Sequence, residues 1–337
     1  MTDVRTVPAF LGDGKIAFVE KEPAVPGTGQ LLLKVQANAI CGTDRAQYFG
    51  GSVVTPGHEA AGTVVATGGQ TSIPVGTRGV VFLMDFCGHC RSCRIGATNQ
   101  CLAKRADMGF DSDGGYGPYE VVHESNFFAI TDDIEIGNAT MLLDVMGTSS
   151  HALGRAQAVR PDIESIYIAG AGPIGLGLVV MSQLRFGPDL PVYVSDISAW
   201  RLDFAESFGA TAVLATDAAA RTRIGQVDVA FDSSGKEVAR RAALDLLGKR
   251  GALVCVGHGE GLTLDVSQDL LGPEHAVLGS EYFRFDELPA NLELLRANQD
   301  LVAKVISHRF SVDRISDAFA LFLSGETGKV LIEQETR

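Results

Sequence analysis

Residues 165–196 constrain the fold more than any other stretch of the chain. Ser165-Ile166-Tyr167-Ile168-Ala169 is an apolar run rich in strand formers. It leads into Gly170-Ala171-Gly172-Pro173-Ile174-Gly175, and an apolar helical pattern follows to about Phe186. Twenty-one residues beyond Gly175, a second strand pattern, Val192–Ser195, ends at Asp196. A lone Gly-x-Gly-x-x-Gly arises by chance in a chain with 39 glycines. A strand before it, a helix after it and an acid at the end of the next strand together make the context of a dinucleotide site. Gly170 permits the tight turn, Gly172 lets the backbone approach a pyrophosphate, and Gly175 lets helix and strand pack closely. Pro173 and Ile174 open the helix, whose N-terminal amides and dipole hold phosphates. Asp196 accepts hydrogen bonds from the adenosine ribose and repels a 2′-phosphate, which favours NAD over NADP. Arg201 either reaches a phosphate or packs over the adenine.

The surrounding text has two rhythms. Up to about residue 135, short strand candidates are broken by glycine. Leu31, Leu33, Val35, Ala37 and Ala39 alternate with Leu32, Lys34, Gln36 and Asn38, and further runs fall at Gly62–Ala66, Arg78–Met84 and Tyr119–Val122. That pattern predicts an irregular, mostly antiparallel β domain. From about Gly137, helices (Asn138–Gln157, Pro173–Phe186, Ser198–Phe208, Lys236–Leu247) alternate with strands (Ser165–Ala169, Val192–Ser195, Thr211–Leu214, Val227–Phe231, Ala252–Val256). Alternation of this kind predicts an α/β fold, a doubly wound parallel sheet. Past His275 the text is mixed again, with a helix from Asp286 and a strand at Lys329–Ile332. A length of 337 residues predicts two domains.

Composition narrows the class. A formal net charge of −13 opposes a phosphate-backbone interface, so nucleic acid is a poor partner. No apolar run approaches the roughly 18 residues of a membrane span. The N-terminal text has no basic region ahead of an apolar core, so a cytoplasmic location is expected.

Four of the six cysteines crowd into fifteen residues, as Cys87-x2-Cys90-x2-Cys93-x7-Cys101. Four thiolates on a short loop satisfy tetrahedral zinc with no open position, which marks a structural site. Arg91, Arg94, Lys104 and Arg105 either offset its negative charge or are simply solvated. An iron–sulfur loop or a nucleic-acid finger is the rival, opposed by the acidic charge and the lack of a recognition helix after Cys101. A second set is dispersed: Cys41, His58-Glu59 and Asp144. Each alone has a bland explanation: a small buried apolar residue, a hydrogen-bonded core imidazole, a helix cap. Ahead of a cofactor fold, a soft ligand, an imidazole and a carboxylate are enough for a zinc that keeps a fourth position open.

Cys41-Gly42-Thr43-Asp44, Gly57-His58-Glu59, the four-cysteine lobe, the glycine motif and Asp196 appear in the order of the zinc-dependent medium-chain alcohol and polyol dehydrogenases, and the chain resembles that family. The resemblance implies a GroES-like catalytic domain (1–146 with 275–337), a Rossmann domain (147–274), and a catalytic zinc between them. It implies Cys41, His58 and Asp144 as zinc ligands and Glu59 beside the metal, ligating transiently or through water. Thr43 would hydrogen-bond the substrate oxygen, Asp44 would orient the imidazole of His58, and Thr148 would pack against the nicotinamide. It further implies two zinc ions per subunit and a homodimer or homotetramer.

Three features depart from the family pattern. Asp144 stands where alcohol dehydrogenases have cysteine and polyol dehydrogenases have Glu-Pro-Leu. Ala46 stands where many relatives have a relay histidine. Arg45 after Gly-Thr-Asp resembles the glucose-type branch, where a guanidinium can hydrogen-bond sugar or cyclitol hydroxyls. The expected reaction is oxidation of a secondary alcohol of a polyol, sugar or cyclitol, with hydride transfer to NAD. Sugar 1-dehydrogenation and L-threonine-type amino-alcohol oxidation are alternatives within the fold. Asp232-Ser233-Ser234-Gly235 and Glu281–Phe285 are further candidates for the substrate pocket. A zinc-independent enone reductase and a non-enzymatic NAD-binding scaffold are the readings that the intact ligand set opposes.

Overall fold

The computed structural model describes residues 5–22 and 24–334, and the chain divides into two compact units. The first takes the chain up to Asp144, Arg284–Ser324 and the chain from Lys329; the second takes Val145–Phe283 and Gly325–Gly328.

The first unit is built on a seven-stranded sheet in a GroES-like, mostly β arrangement. Across it run Ile306–Ser311, Lys329–Glu333, Gln30–Ala39, Ala60–Thr67, Arg78–Val81 and Phe127–Ala129, with Tyr119–His123 also paired to Gln30–Ala39. All pairings are antiparallel except that of Ile306–Ser311 with Lys329–Glu333. The period-two text of Gln30–Ala39 does what it predicts: Leu31, Leu33 and Val35 point into a core with Val64, Val122 and Phe127. Burying each such aliphatic side chain stabilises the fold by roughly 1.5–3 kcal/mol. A second cluster joins Phe10, Ile40, Tyr48, Tyr116, Ile315, Phe319 and Val330. The hairpin Arg5–Gly12/Lys15–Lys21 that supplies Phe10 was not anticipated from sequence; its turn is Gly12-Asp13-Gly14, all with positive φ.

The second unit carries a six-stranded, all-parallel sheet. In chain order its strands are Ile166–Ala169, Val192–Asp196, Thr211–Leu214, Val227–Asp232, Leu247–Cys255 and Ala276–Gly279. Across the sheet they run third, second, first, fourth, fifth, sixth. This is the doubly wound Rossmann order, with its switch point beside the first strand. Ala276–Gly279 pairs with Leu247–Cys255, so the parallel sheet reaches past residue 275, where the sequence pattern put its end. Four residues of intermediate or full exposure at an edge carry too little periodicity to be assigned from text. The helix Ala218–Ile224 was also missed, having no buried residue to give it an apolar stripe.

The helix expected at Asn138–Gln157 is a correction. The segment is broken into a short helix at Ile136–Ala139, a 3₁₀ turn at Thr140–Leu142, a π-helical turn at Asp144–Thr148 and an α-helix at Ser149–Gln157. At Leu143 the backbone leaves helical geometry, with ψ −112°. π-Helical turns of this kind are frequent at functional sites, where they re-aim a side chain.

Candidate active site

In the second unit, the three motif glycines answer to different demands. Gly170 has φ +103° and Gly175 is pressed against it; a Cβ on Gly175 would lie 1.9 Å from the Gly170 carbonyl oxygen. These two are glycine for reasons internal to the fold. Gly172 is not: a Cβ there would meet only Arg201 Nη1, at 3.9 Å. Its missing side chain leaves open space at the N-cap of the helix Pro173–Phe186, whose first turn has no side-chain cap. Free amides at a helix N-terminus beside an open backbone form a ready site for a pyrophosphate. Asp196 is buried, and its carboxylate accepts from Ala171 N (2.8 Å) and Ser198 N (2.9 Å). It therefore fixes the glycine turn as well as leaving further lone pairs for a ribose. Arg201 Nη1 stands 3.9 Å from Asp196 Oδ2. Thr148 is buried, and its hydroxyl has no partner.

Both further pocket candidates, residues 232–235 and 281–285, have partners within the fold. The hydroxyl of Ser233 donates to the carbonyls of Ala169 and Gly170 (3.1 and 3.0 Å). Asp232 accepts from Ser234 N, Gly235 N and Arg240 Nε. Ser233 therefore braces the glycine turn, while Asp232 closes the turn of its own segment and pairs with Arg240. In 281–285, Glu281 pairs with His258 (3.2 Å), while Tyr282 and Phe283 are buried.

In the first unit, Cys87, Cys90, Cys93 and Cys101 converge, their sulfurs all within 4.8 Å of one another. The sulfur of Cys90 accepts from Cys93 N and Leu102 N, and these backbone donors lower its pKa to about 6. Sulfur separations of 3.5 Å (90–93) and 4.0 Å (87–93, 90–101) are far beyond a disulfide bond of about 2.05 Å. They bracket the roughly 3.8 Å edge of a regular tetrahedron with metal–sulfur bonds of about 2.3 Å. Arg105 is paired with Asp85 and Lys104 with Asp107.

Cys41, His58, Glu59 and Asp144 form the second cluster, all buried, with one ligand atom from each inside a 4.8 Å circle. Cys41 Sγ lies 2.9 Å from Asp144 Oδ2, and His58 Nε2 lies 3.8 Å from the same oxygen. The opposite ring nitrogen, Nδ1, faces Asp44 Oδ1 at 3.2 Å. Thr43 Oγ1 stands 3.4 Å from His58 Nε2, at an exposed position. The break at Leu143 brings Asp144 into this group. At Gly57, φ +102° lets the turn ahead of His58 lie against Tyr116 N, which a Cβ would approach to 2.7 Å. Glu59 keeps one buried oxygen, Oε2, without a partner.

The matches to known proteins fall on both units. Residues 27–132 match the alcohol dehydrogenase GroES-like domain and residues 173–297 the zinc-binding dehydrogenase domain. The L-threonine 3-dehydrogenase of Francisella philomiragia is 31% identical, over 94% of this chain and 98% of its own. This chain belongs to the zinc-type medium-chain alcohol dehydrogenases. Two solved relatives carry cofactors. The short chain alcohol dehydrogenase rspB of Escherichia coli CFT073, complexed with NADH, is 25% identical, with a TM-score of 0.87 over 98% of this chain and 99% of that one. A putative zinc-binding dehydrogenase of Sinorhizobium meliloti bound to NADP is 27% identical, with a TM-score of 0.86 over the same shares.

The dehydrogenase's donor sets fit two zinc ions. The four-sulfur lobe has the spacing just given. In the second cluster, burial and the charge of Asp144 push the Cys41 thiol up, and the same two causes push Glu59 up to about 8. Burial also works against ionised Asp144, but His58 and Lys329 hold it well below the usual carboxylate range. Buried acids and a thiol crowded against one lysine and one imidazole are a donor set that a divalent cation satisfies.

Three residues of the site went unnoticed in the dehydrogenase's sequence. Lys329 is fully buried and its ammonium meets Glu59. A lysine heading the apolar run Val330-Leu331-Ile332 was the available signal. Tyr116 donates its hydroxyl to Asp44 Oδ2 (2.6 Å). Phe110 lays its ring 4.9 Å from that of His58. Neither aromatic has a local signature. Arg45 and Ala46 are exposed on the short helix Asp44–Gly50, and neither is among the clustered ligand residues.

Proposed function

We propose that the enzyme oxidises a secondary alcohol of a polyol, sugar or cyclitol, passing hydride to NAD. The observation that carries this reading is the buried Cys41–His58–Glu59–Asp144 cluster with the exposed Thr43 hydroxyl beside it. Cys41, His58 and Asp144 hold the catalytic zinc, with Glu59 as the carboxylate next to it. Zinc bound there supplies Lewis acidity, which lets an alcohol release its proton near neutral pH. Thr43 orients the substrate hydroxyl and relays its proton, accepting it while giving up its own; with Ala46 in place of a relay histidine, the proton leaves through ribose hydroxyls and water. Phe110 gives the carbon skeleton an aromatic face, and the exposed guanidinium of Arg45 offers donors to further hydroxyls. The glycine turn, Asp196 and Thr148 bind the dinucleotide, and the Asp196 carboxylate favours NAD over NADP.

An amino alcohol of the L-threonine type is the second reading, supported by the identity to the Francisella enzyme. The outer edge of the parallel sheet at Ala276–Gly279 has backbone groups to pair with a second copy, which supports a homodimer or homotetramer. The test is NAD⁺ and NADP⁺ reduction over polyols, aldoses, cyclitols and L-threonine, before and after chelation, with zinc counted per chain. Chelator-sensitive turnover of a polyol, sugar or cyclitol supports the proposal. Threonine as best substrate moves it to the second reading, and inactivity across the panel with two zinc ions bound overturns it.

A further inference from the structure

Asp44 is fully buried; one carboxylate oxygen carries two hydrogen bonds and the other faces the imidazole of His58. Oδ1 faces His58 Nδ1 at 3.2 Å, while Oδ2 accepts from Cys41 N (2.9 Å) and from the hydroxyl of Tyr116 (2.6 Å). One carboxylate thus touches the backbone of one zinc ligand and the ring of another. We propose that Tyr116 is a positioning residue for the catalytic centre: its hydroxyl fixes the rotation of Asp44, and Asp44 in turn sets the ring plane and tautomer of His58. The proposal rests on the reading of Cys41, His58 and Asp144 as a zinc site.

The geometry gives Tyr116 little freedom of its own. Its ring is fully buried, stacked on Phe10 (5.8 Å, 15°) and edge-on to Phe319 (5.9 Å, 73°). Its backbone N donates to Pro56 O (3.0 Å), beside the turn that delivers His58, and its carbonyl accepts from Gln334 Nε2 (2.9 Å). The phenol is therefore held at both ends, and burial beside a carboxylate keeps it protonated and donating. Charge-assisted hydrogen bonds of this length are the strong ones. Partners that orient a metal-bound histidine typically change metal affinity or activity by about 10–100-fold when removed. Tyr116 acts one bond further out, so the lower end of that range, about 10-fold, is expected.

Tyr116→Phe removes the hydroxyl and leaves the ring stack, which separates positioning from packing. The holoenzyme is challenged with a chromogenic zinc chelator, and release is followed in time. Cys41→Ser identifies the phase that belongs to the catalytic centre. The expected result is an approximately 10-fold faster catalytic-centre phase in Tyr116→Phe, with the four-cysteine phase and the melting temperature unchanged. In an Asp44→Asn background the same substitution adds less than about a twofold effect, because the route runs through Asp44. Release unchanged in the wild-type background, or equally accelerated in the Asp44→Asn background, overturns the proposal. A wild-type protein that retains zinc only at the four-cysteine lobe overturns the zinc-site reading itself, and the proposal with it.

Discussion

Glu120→Gln is expected to stabilise the first unit at neutral pH while leaving it almost unchanged near pH 4. Glu120 lies on the strand Tyr119–His123 at 1% exposure, and neither carboxyl oxygen has a partner. Burial first and the charge of Asp113 second push its pKa well above 4.5, with the charge of His58 opposing. In the unfolded chain the same group ionises near pH 4.3. Between those two pKa values the folded state holds a proton that the unfolded state has lost. Stability therefore falls as pH rises, by about 1.4 kcal/mol per pH unit, and the loss stops once pH passes the folded pKa. Glutamine keeps the shape of the neutral acid and cannot ionise, so the variant escapes that slope. For a unit of about 150–250 residues, 1 kcal/mol corresponds to roughly 2–4 °C in melting temperature, so the gap between variant and wild type should widen by about 3–6 °C per pH unit above pH 4.5. Paired thermal scans of the zinc-loaded proteins from pH 4.5 to pH 7 measure it. A gap that stays constant with pH would mean that the carboxylate ionises in place, and would refute the reasoning.

Cys41→Ser and His58→Ala should each abolish turnover and lower bound zinc from two ions to one. NADH affinity, followed by its fluorescence, should stay within about twofold, because the cofactor motif lies in the other unit. Lys329→Met removes the buried ammonium beside Glu59 and should lower stability in urea unfolding, with part of the loss recovered in Lys329→Met/Glu59→Gln. A double variant no more stable than the single would refute the ion-pair account. Asp196→Asn keeps an acceptor for Ala171 N or Ser198 N but loses the charge. The ratio of kcat/KM for NADP⁺ over NAD⁺ should rise about tenfold, the equivalent of about 1.4 kcal/mol.

What the sequence disclosed about this site follows how local each device is. The glycine turn, the strand entering it and the acid ending the next strand are set by sterics within some thirty residues, and all were legible in the text. So was the four-cysteine loop, whose ligands span fifteen positions. Asp144 was legible as a residue but not as a geometry. Its segment reads as one helix, and only the structure shows the chain leaving helical geometry at Leu143. Lys329, Tyr116 and Phe110 reach the cluster from more than 50 residues' distance or from the far end of the chain. No spacing rule connects such positions; their relation exists only once the sheet has set its register.

That difference of range has an energetic counterpart. The glycine turn can form without a ligand, because Ser233 donates to Gly170 O, Asp196 accepts from Ala171 N and Gly175 packs against Gly170. The catalytic cluster has no such closure: Glu59 Oε2 is unpartnered, and buried acids and a thiol stand against one ammonium and one imidazole. An uncompensated buried charge costs several kcal/mol, so this cluster depends on its cation in a way that the cofactor turn does not depend on the dinucleotide. Metal binding is then partly folding free energy for the first unit. The sheet strand Lys329–Glu333 brings one partial remedy with it, since the Lys329 ammonium meets Glu59. Zinc and the strand Lys329–Glu333 thus act on the same charges, which is why a lysine is tolerated at the buried head of that strand.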